Sequence, residues 1–327
     1  MQEQSYQNLI IGFGKAGKTL AGFLAKKGET VALVERSKER YGGTCINVAC
    51  IPSKSLEYSA RLSAEAGGDF AAKAERYRAA IAEKRLLTAM LREKNYAKAT
   101  GAGAVVIDGE ASFIDAHTVR IVGADGEQRV TAERIFINTG ALPFVPPIPG
   151  AKESTHVYTS ETMMELDVLP EKLVIIGGGY IGLEFASYYT NFGSSVAVVQ
   201  DGDAFIPRED AEISIRVRQQ MEERGIHILT DTKILRIEDG TTGANVIVQT
   251  SNGEKSLAAN AVLIATGRRP NIEGLNLTAA GIETTTRGAI AVDEHLRTNV
   301  PHIWAMGDVT GGMQFTYISL DDFRIVK

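Results

Sequence analysis

Short apolar runs alternate with helical patterns in two separate parts of the chain. Each part has the order apolar strand, glycine-rich turn, helix and second strand. In the first part the strands lie at 8–12 and 30–34, with the helix at 19–27. In the second part the strands lie at 173–176 and 196–199, and the helix ends at 191. Strands that alternate with helices are typical of an α/β fold with a parallel sheet. The pattern therefore predicts two α/β units in one chain.

Both turns carry glycines at the spacing G-x-G-x-x-G. They are Gly12, Gly14 and Gly17 in the first unit and Gly177, Gly179 and Gly182 in the second. Such glycines let the backbone approach a pyrophosphate at the N-terminus of the next helix. The first turn also fits a P-loop through Lys18 and Thr19, but the second turn has no Lys-Thr pair. We therefore interpret the P-loop match as coincidence and predict two dinucleotide sites.

The residue after the second strand differs between the two units. Glu35 stands 18 residues after Gly17, where a dinucleotide fold places an acid that binds ribose hydroxyls. The residue 18 positions after Gly182 is Gln200, which has no charge. Each unit also ends in a strand followed by Thr-Gly, at 139–140 and at 266–267, and this extends the repeat.

Other segments predict elements that connect or support the two units. Short strands with polar turns predict a small β meander; they lie at 105–107, 111–114, 118–122 and 130–137. Residues 71–97 predict an amphipathic helix whose basic side chains face solvent, and the proline-rich segment 143–149 predicts a linker. Asp308 follows a strand and a glycine, which suits either ligand hydroxyl groups or helix capping.

The only two cysteines, Cys45 and Cys50, lie in the stretch GGTCINVACIPSK. Five residues of an ideal helix rise about 7.5 Å, whereas the Cα atoms of a disulfide lie roughly 4.4–6.8 Å apart. The helix must therefore be irregular here if the two residues are to bond, and Pro52, which lacks an N–H, disturbs its first turn. Lys54 stands one turn after Cys50, and a nearby ammonium lowers a cysteine pKa.

Several other interpretations of the cysteines stay open at this point. They could be small buried apolar residues, a structural disulfide, or half of a zinc site. So short a loop would stabilise a large domain little, and no histidine lies near enough in sequence to complete a zinc shell. The pattern favours a redox-active pair.

Composition narrows the class of protein and its partners. The 327 residues are 44% apolar and 23% charged, and the formal net charge is −5. This balance gives no reason to expect nucleic acid or a membrane as a partner. No apolar run approaches about 18 residues, and no signal-peptide pattern follows Met1, so we expect a cytoplasmic protein. In a reducing compartment a persistent disulfide is more often catalytic than structural.

The motifs occur in an order that resembles the class I pyridine nucleotide–disulfide oxidoreductases, the family of glutathione reductase, lipoamide dehydrogenase and mercuric reductase. The resemblance covers essentially the whole chain and is carried by GGTCINVACIPSK, by GGGYIGLE at 177–184 and by Met306-Gly307-Asp308. Within the family, GFGKAGKTLA and MGDVTGGMQFTYISLDDFRIV are most similar to bacterial flavoproteins of reactive-chlorine resistance, in the mercuric-reductase-like branch.

The resemblance implies two Rossmann-like domains, each with a parallel sheet and a small β meander. An FAD-binding domain would comprise residues 1–145, completed by 275–327, with an NAD(P)-binding domain at 146–274 inserted between. The implied FAD-binding residues are Gly12, Gly14, Gly17, Glu35, Gly43, Thr44, Thr139, Gly140 and Asp308. The implied NAD(P)-binding residues are Gly177, Gly179, Tyr180, Gly182, Gln200 and Gly267.

The resemblance also implies the route of the electrons. They would pass from NADPH or NADH to FAD, then to Cys50, and from there to Cys45, the thiol that attacks the acceptor. Lys54 and Glu184 match a family ion pair beside the flavin, and Tyr180 matches an aromatic residue that covers the flavin until nicotinamide displaces it. The acceptor would be a disulfide, a metal ion or a small oxidant.

The sequence departs from the family in two respects. Gln200 neither repels nor attracts a 2′-phosphate, so the choice between NADH and NADPH stays open, with a slight preference for NADPH. The C-terminal domain through which the family forms homodimers is missing, and none of the five histidines stands in the family's His-Pro-Thr setting. We therefore expect the chain to be a fragment.

Two rival functions remain open from the sequence. One is a flavin NADH oxidase or ferredoxin reductase, in which the flavin passes electrons directly to the acceptor. The other is a nucleotide-binding redox sensor, in which the disulfide changes conformation or partner without turnover.

Overall fold

The computed structural model describes residues 2–327. The helices are α1 (Lys15–Lys26), α2 (Thr44–Asn47), α3 (Cys50–Ala66), α4 (Phe70–Gly101), α5 (Ser160–Met163), α6 (Tyr180–Phe192), α7 (Ala211–Glu223) and α8 (Thr316–Val326). The strands are β1 (Gln2–Ile11), β2 (Val31–Glu35), β3 (Val105–Asp108), β4 (Glu110–Phe113), β5 (Thr118–Gly123), β6 (Gly126–Ile137), β7 (Ala141–Pro143), β8 (Val157–Thr159), β9 (Lys172–Ile176), β10 (Ser195–Val199), β11 (His227–Leu229), β12 (Lys233–Asp239), β13 (Ala244–Thr250), β14 (Gly253–Ala259), β15 (Ala261–Ile264), β16 (Arg268–Pro270) and β17 (Ile303–Ala305).

The chain divides into two compact units. The first unit comprises Met1–Asn47, Leu87–Leu142 and Arg269–Lys327, and the second comprises Val48–Leu86 and Pro143–Arg268. The second unit therefore includes a segment, 48–86, that the sequence places with the first.

The first unit is built on one sheet with the order β3-β2-β1-β6-β5-β4, and β17 also pairs with β6. Strands β1, β2, β3, β6 and β17 pair in parallel, whereas β5 pairs antiparallel with β4 and β6. All five residues of β2 are buried, as expected for a strand covered on both faces of a parallel sheet. The predicted meander is thus joined to the parallel sheet through the long strand β6, and β3, predicted within the meander, is a parallel strand.

The second unit repeats this architecture on a smaller scale. Its parallel sheet has the order β11-β10-β9-β15-β8, and a separate antiparallel sheet has the order β12-β13-β14. The order β9, α6, β10 reproduces the order β1, α1, β2 of the first unit. Both units are therefore Rossmann-like, each with a parallel sheet and antiparallel strands.

The core of the second unit explains why residues 48–86 belong to it. Helix α3 packs against α6, and Leu56 of α3 is fully buried in the same apolar cluster as Phe185 and Tyr188. Tyr77 of α4 joins this cluster, and its hydroxyl lies 3.0 Å from that of Tyr189. These contacts join segments more than a hundred residues apart, so local sequence patterns do not reveal them. In the part of the chain from 2 to 327, no helix has the length and apolar character needed to cross a membrane.

Candidate functional site

The first glycine turn leaves no room for larger residues at any of its three glycines, and a Cβ at Gly14 would lie 2.4 Å from the side-chain oxygen of Asn138. Gly12 has a φ of +104°, and a Cβ there would lie 2.3 Å from the carbonyl oxygen of Asn138. A Cβ at Gly17 would lie 2.5 Å from the carbonyl oxygen of Gly12. The turn therefore requires glycine for its own packing, and it leads directly into α1, whose first backbone N–H groups have no helical acceptor.

Asn138, which the sequence did not predict as a site residue, joins this turn to two other segments. It is buried, its side-chain oxygen accepts the N–H of Gly17 at 2.9 Å, and its amide group donates to the carbonyl oxygen of Met306 at 2.6 Å. Asn138 immediately precedes Thr139-Gly140, and Met306 precedes Gly307-Asp308. One amide side chain therefore brings three of the predicted FAD-binding segments together.

Helix α8 supplies two further polar contacts that the sequence did not predict. The hydroxyl of Ser319 accepts the N–H of Ala16 at 3.2 Å, and the carboxylate of Asp322 accepts the N–H of Gly307 at 2.6 Å. Burial raises the pKa of Asp322, and the Gly307 N–H opposes this shift. Ser319 and Asp322 stand three residues apart, so they lie on one face of α8 and hold the first turn and the Asp308 segment together.

Glu35 lies at the end of β2 and supports the first turn. It is buried, one carboxylate oxygen accepts the N–H of Phe13 at 3.0 Å, and the other accepts the N–H of Arg36 at 2.9 Å. Burial raises the pKa of Glu35, whereas these two backbone N–H groups lower it. Since a carboxylate has about four acceptor positions, Glu35 keeps the capacity to accept ribose hydroxyls.

The second glycine turn has the same construction with one difference. Gly177 has a φ of +113° and a Cβ there would lie 2.5 Å from the carbonyl oxygen of Ala265; a Cβ at Gly182 would lie 2.1 Å from that of Gly177. In contrast, a Cβ at Gly179 would have no atom within 4 Å. Packing thus requires Gly177 and Gly182, whereas Gly179 borders open space that a ligand group could enter.

Gln200 takes the place of Glu35 in the second unit. Its side-chain oxygen accepts the N–H of Gly178 at 2.7 Å, just as Glu35 accepts the N–H of Phe13. Both acceptors bond the residue between the first two glycines of the turn. The repeat seen in the sequence is therefore also a repeat of side-chain contacts, and it does not depend on a negative charge.

The two Thr-Gly dipeptides lie beside their glycine turns. The Thr139 hydroxyl donates to the carbonyl oxygen of Asn271 at 2.7 Å, and the Thr266 hydroxyl donates to that of Phe144 at 2.9 Å. Gly140 and Gly267 both have positive φ values, +74° and +121°. Each dipeptide lies just after a parallel strand, β6 or β15, and a Cβ at Gly12 or Gly177 would lie 3.0 or 3.1 Å from the backbone nitrogen of the threonine in its unit.

The helix is interrupted between the two cysteines. Cys45 lies in α2, which ends at Asn47, and α3 begins at Cys50; between them Ala49 has the non-helical angles φ −144° and ψ −108°. Pro52 lies in the first turn of α3, where a missing N–H costs no helical hydrogen bond. Cys45 is half-buried and belongs to the first unit, and Cys50 is exposed and belongs to the second.

The segment before Cys45 is held by a buried asparagine. The Asn47 amide group donates to the carbonyl oxygens of Tyr41 at 3.0 Å and of Gly43 at 2.9 Å, and its side-chain oxygen accepts Arg92 Nε at 2.8 Å. A Cβ at Gly43 would lie 2.6 Å from the Cα of Gly14. The loop that leads to Cys45 and Thr44 is therefore packed directly on the first glycine turn.

Lys54 and Glu184 form an ion pair in the second unit. The Ser53 hydroxyl also donates to Glu184, at 3.0 Å. The Lys54 and Glu184 side chains are 62% and 40% exposed, and so exposed a pair contributes little to stability. Tyr180, at the start of α6, donates its hydroxyl to Glu209 at 2.6 Å, and this hydrogen bond raises the pKa of Tyr180.

The residues of both turns fit dinucleotides. Each turn offers glycines with close backbone packing, the N-terminus of a helix of at least 12 residues, and an acceptor side chain after the second strand. In the described range, no group of three or more His, Cys, Asp or Glu residues is arranged to hold a metal ion. Each turn therefore has the features that a dinucleotide site needs, and the loop that precedes Cys45 packs beside the first turn.

Comparisons with known proteins agree with this geometry. A family model described as pyridine nucleotide-disulphide oxidoreductase matches residues 6–322. The probable pyridine nucleotide-disulfide oxidoreductase RclA of Escherichia coli (strain K12) is 45% identical over 98% of this chain and 70% of its own length. The mercuric reductase of Staphylococcus aureus is 33% identical over 99% of this chain, which spans 59% of that protein.

A solved structure supports the fold directly. The Cu(II) complex of the HOCl-induced flavoprotein disulfide reductase RclA from Escherichia coli matches with a TM-score of 0.90 at 45% identity, over 99% of this chain and 70% of that one. A Cu(II) complex of a cysteine-to-serine mutant of the same protein matches equally well. Flavoprotein disulfide reductases of this family use FAD and NAD(P)H.

Proposed function

Because the chain belongs to the pyridine nucleotide–disulphide oxidoreductase family, we propose that it carries electrons from NAD(P)H through FAD to a redox-active Cys45–Cys50 disulfide. The observation that carries this proposal is the interrupted helix. Cys45 lies in α2, directly after a loop that packs on the first glycine turn, and Cys50 is the first residue of a separate helix. Neither a flavin oxidase nor a ferredoxin reductase needs two cysteines in this arrangement.

The first unit is proposed to hold FAD. The N-terminus of α1 and the turn containing Gly12, Gly14 and Gly17 would bind the pyrophosphate, and Glu35 would bind ribose hydroxyls. Gly43, Thr44, Thr139, Gly140 and Asp308 would line the remainder of the site. When bound, the flavin would accept a hydride from the nicotinamide and deliver an electron pair to the disulfide.

The second unit is proposed to hold the nicotinamide nucleotide. Gly177, Gly179 and Gly182 would bind its pyrophosphate at the start of α6, and Gln200 and Gly267 would lie beside the ribose. Tyr180 is the first residue of α6 and is about one-third exposed, so its ring is accessible to a ligand at this turn. Its hydrogen bond to Glu209 would have to yield if the ring moved.

The residues of the chain supply charge and thiol chemistry. Lys54, oriented by Glu184, would place a positive charge near Cys50 and the flavin. Reduction breaks the S–S bond, uses the two electrons of one NAD(P)H and one solvent proton, and leaves two thiols. Cys45 would then attack the acceptor, which takes the two electrons as the disulfide forms again.

We propose a small acceptor, with copper(II) as the first to test. Two E. coli RclA structures that match this chain are Cu(II) complexes, and one of these two is formed by a cysteine-to-serine mutant. Oxidation of two thiols to one disulfide would reduce two Cu(II) ions to Cu(I) and release two protons. A disulfide and a small oxidant remain the other candidate acceptors.

The proposal is tested by anaerobic titration of the flavin-loaded protein with one equivalent of NADPH, and separately of NADH. We expect a long-wavelength charge-transfer band, because a Cys50 thiolate beside oxidised flavin produces one. Cys50→Ser should abolish the band, and Cys45→Ser should retain it while turnover of Cu(II) falls at least tenfold. Simple bleaching of the wild-type flavin would favour direct transfer, and a protein without turnover of any acceptor would favour the redox sensor.

A further inference from the structure

Lys18 has no part in the function proposed above. It lies in the first turn of α1, directly after Gly17. With Thr19 it forms the Lys-Thr pair that matches the P-loop motif. Its side chain is half-buried, and its ammonium group donates to the carbonyl oxygen of Gly42 at 2.9 Å. Lys18 therefore connects the first glycine turn to the loop that precedes α2, and Cys45 on α2 stands three residues beyond Gly42.

This loop is fixed, so the contact holds the ammonium group in one place. Gly42 and Gly43 have φ values of +95° and +79°, which most other residues do not adopt readily. Gly43 packs against Gly14, and Asn47 holds the carbonyl oxygen of Gly43 from the far side of Cys45. Lys18 and Cys45 are thus parts of one closely packed segment within the first unit.

The groups around Lys18 shift its pKa in opposite directions. Burial, together with the nearby ammonium groups of Lys15 on α1 and Lys98 on α4, lowers the pKa of Lys18 to about 8. Cys45 on α2 acts in the opposite sense and raises it. Since the interaction between two charges is reciprocal, the ammonium of Lys18 favours the thiolate form of Cys45.

We propose that Lys18 is a positioning residue for the reaction, whose ammonium group stabilises the thiolate of Cys45 as it attacks the acceptor. This inference rests on the proposed function, because it takes Cys45 as the attacking thiol. The cation that acts on the Cys45 thiol is then the Lys18 ammonium of the first unit, and the Lys54–Glu184 pair of the second unit has a different role.

The test measures the thiol itself. Flavin-loaded protein with Cys50→Ser has one cysteine, and its alkylation rate with iodoacetamide between pH 5.5 and 9.5 reports the thiolate fraction. An opposite charge shifts a pKa by about one to three, so Lys18→Met and Lys18→Gln should alkylate roughly tenfold more slowly at pH 7. Lys18→Arg should remain within about twofold of the parent. The difference should shrink above pH 8, where the amine loses its proton.

The matched control is Lys26→Met, an exposed lysine at the other end of α1, which should leave the profile unchanged. Equal profiles for Lys18→Met, Lys18→Gln and the parent would overturn the inference. A weaker FAD affinity, measured by flavin fluorescence, together with an unchanged pH profile of Cys45 alkylation would also overturn it. Lys18 would then contribute to FAD binding and not to the reactivity of Cys45. Neither result would affect the charge-transfer band, so failure of this inference is distinct from failure of the proposed function.

Discussion

Asn138 offers a sharp test of how the first turn is held. Its side chain accepts the N–H of Gly17 and donates to the carbonyl oxygen of Met306, and it is 5% exposed. Asn138→Asp keeps the shape and the acceptor but replaces the donor with an oxygen that faces the Met306 carbonyl. A buried polar group left without its partner costs about 1–3 kcal/mol, and burial of a charge adds to this. We expect a loss of about 3 kcal/mol at pH 7, or roughly 10 °C in Tm.

The pH dependence of this loss separates charge from packing. Burial and the Met306 carbonyl favour the protonated acid, so the folded pKa of the carboxyl group introduced by Asn138→Asp should lie above its unfolded value of about 3.9. A raised folded pKa contributes stability below the unfolded pKa, and this stability is lost as the pH rises through the folded pKa. Relative to wild type, the deficit of Asn138→Asp should therefore shrink between pH 7 and pH 4.5.

Urea unfolding at both pH values, with and without FAD, measures these quantities. Asn138→Ala leaves both partners unbonded without adding a charge, so its deficit should be the same at both pH values. Asn252→Asp, at an exposed turn, serves as the control and should change stability by less than about 0.5 kcal/mol. The reasoning is refuted if Asn138→Asp unfolds like wild type at pH 7, or if its deficit grows on acidification.

Three further predictions concern the second unit. Glu165→Gln should lower the free energy of unfolding by about 2–4 kcal/mol, because the fully buried Lys84 ammonium loses its ion pair with the Glu165 carboxylate. Lys84→Met should lower the free energy of unfolding by less, and urea unfolding of both variants measures the difference. Gly182→Ala should destabilise the unit, since its Cβ would lie 2.1 Å from a carbonyl oxygen. Gly179→Ala should keep the Tm and raise the KM for NAD(P)H, because a Cβ there meets no protein atom within 4 Å. An unchanged KM would contradict the ligand role of Gly179. Gln200→Glu should raise the KM for NADPH at least tenfold over that for NADH, because a carboxylate repels the 2′-phosphate; steady-state kinetics with both nucleotides decide.

The glycine turns could be predicted from the sequence because their constraints are local. Gly12 and Gly177 need positive φ values, and the short spacing to the third glycine fixes the entry into each helix. The acceptor position after the second strand was also predictable, since Glu35 and Gln200 stand at the same distance from their turns. The interruption between Cys45 and Cys50 followed from the length of a helical rise.

Other features depend on contacts that are distant in sequence. Asn138 bonds Gly17 across 121 residues, and Ser319 bonds Ala16 across 303, so no spacing in the sequence pairs them. Lys84 was expected on the solvent-exposed face of a helix, yet it is fully buried beside Glu165. A single sequence shows that a side chain is charged but not what packs against its helix. For the same reason, residues 48–86 could not be grouped with the second unit before the packing of α3 on α6 was known.

The contacts of α8 have a consequence for biosynthesis. By the time Arg268 is added, every residue of the second unit has been synthesised, whereas the first glycine turn lacks Ser319 until 51 more residues have been added. Domains usually fold as units while the chain emerges. Here β1 and α1 are synthesised first, but α1 lacks its contacts with α8 until after the whole second unit has been synthesised. Of the two units, the one that begins the chain is therefore the one that is completed later.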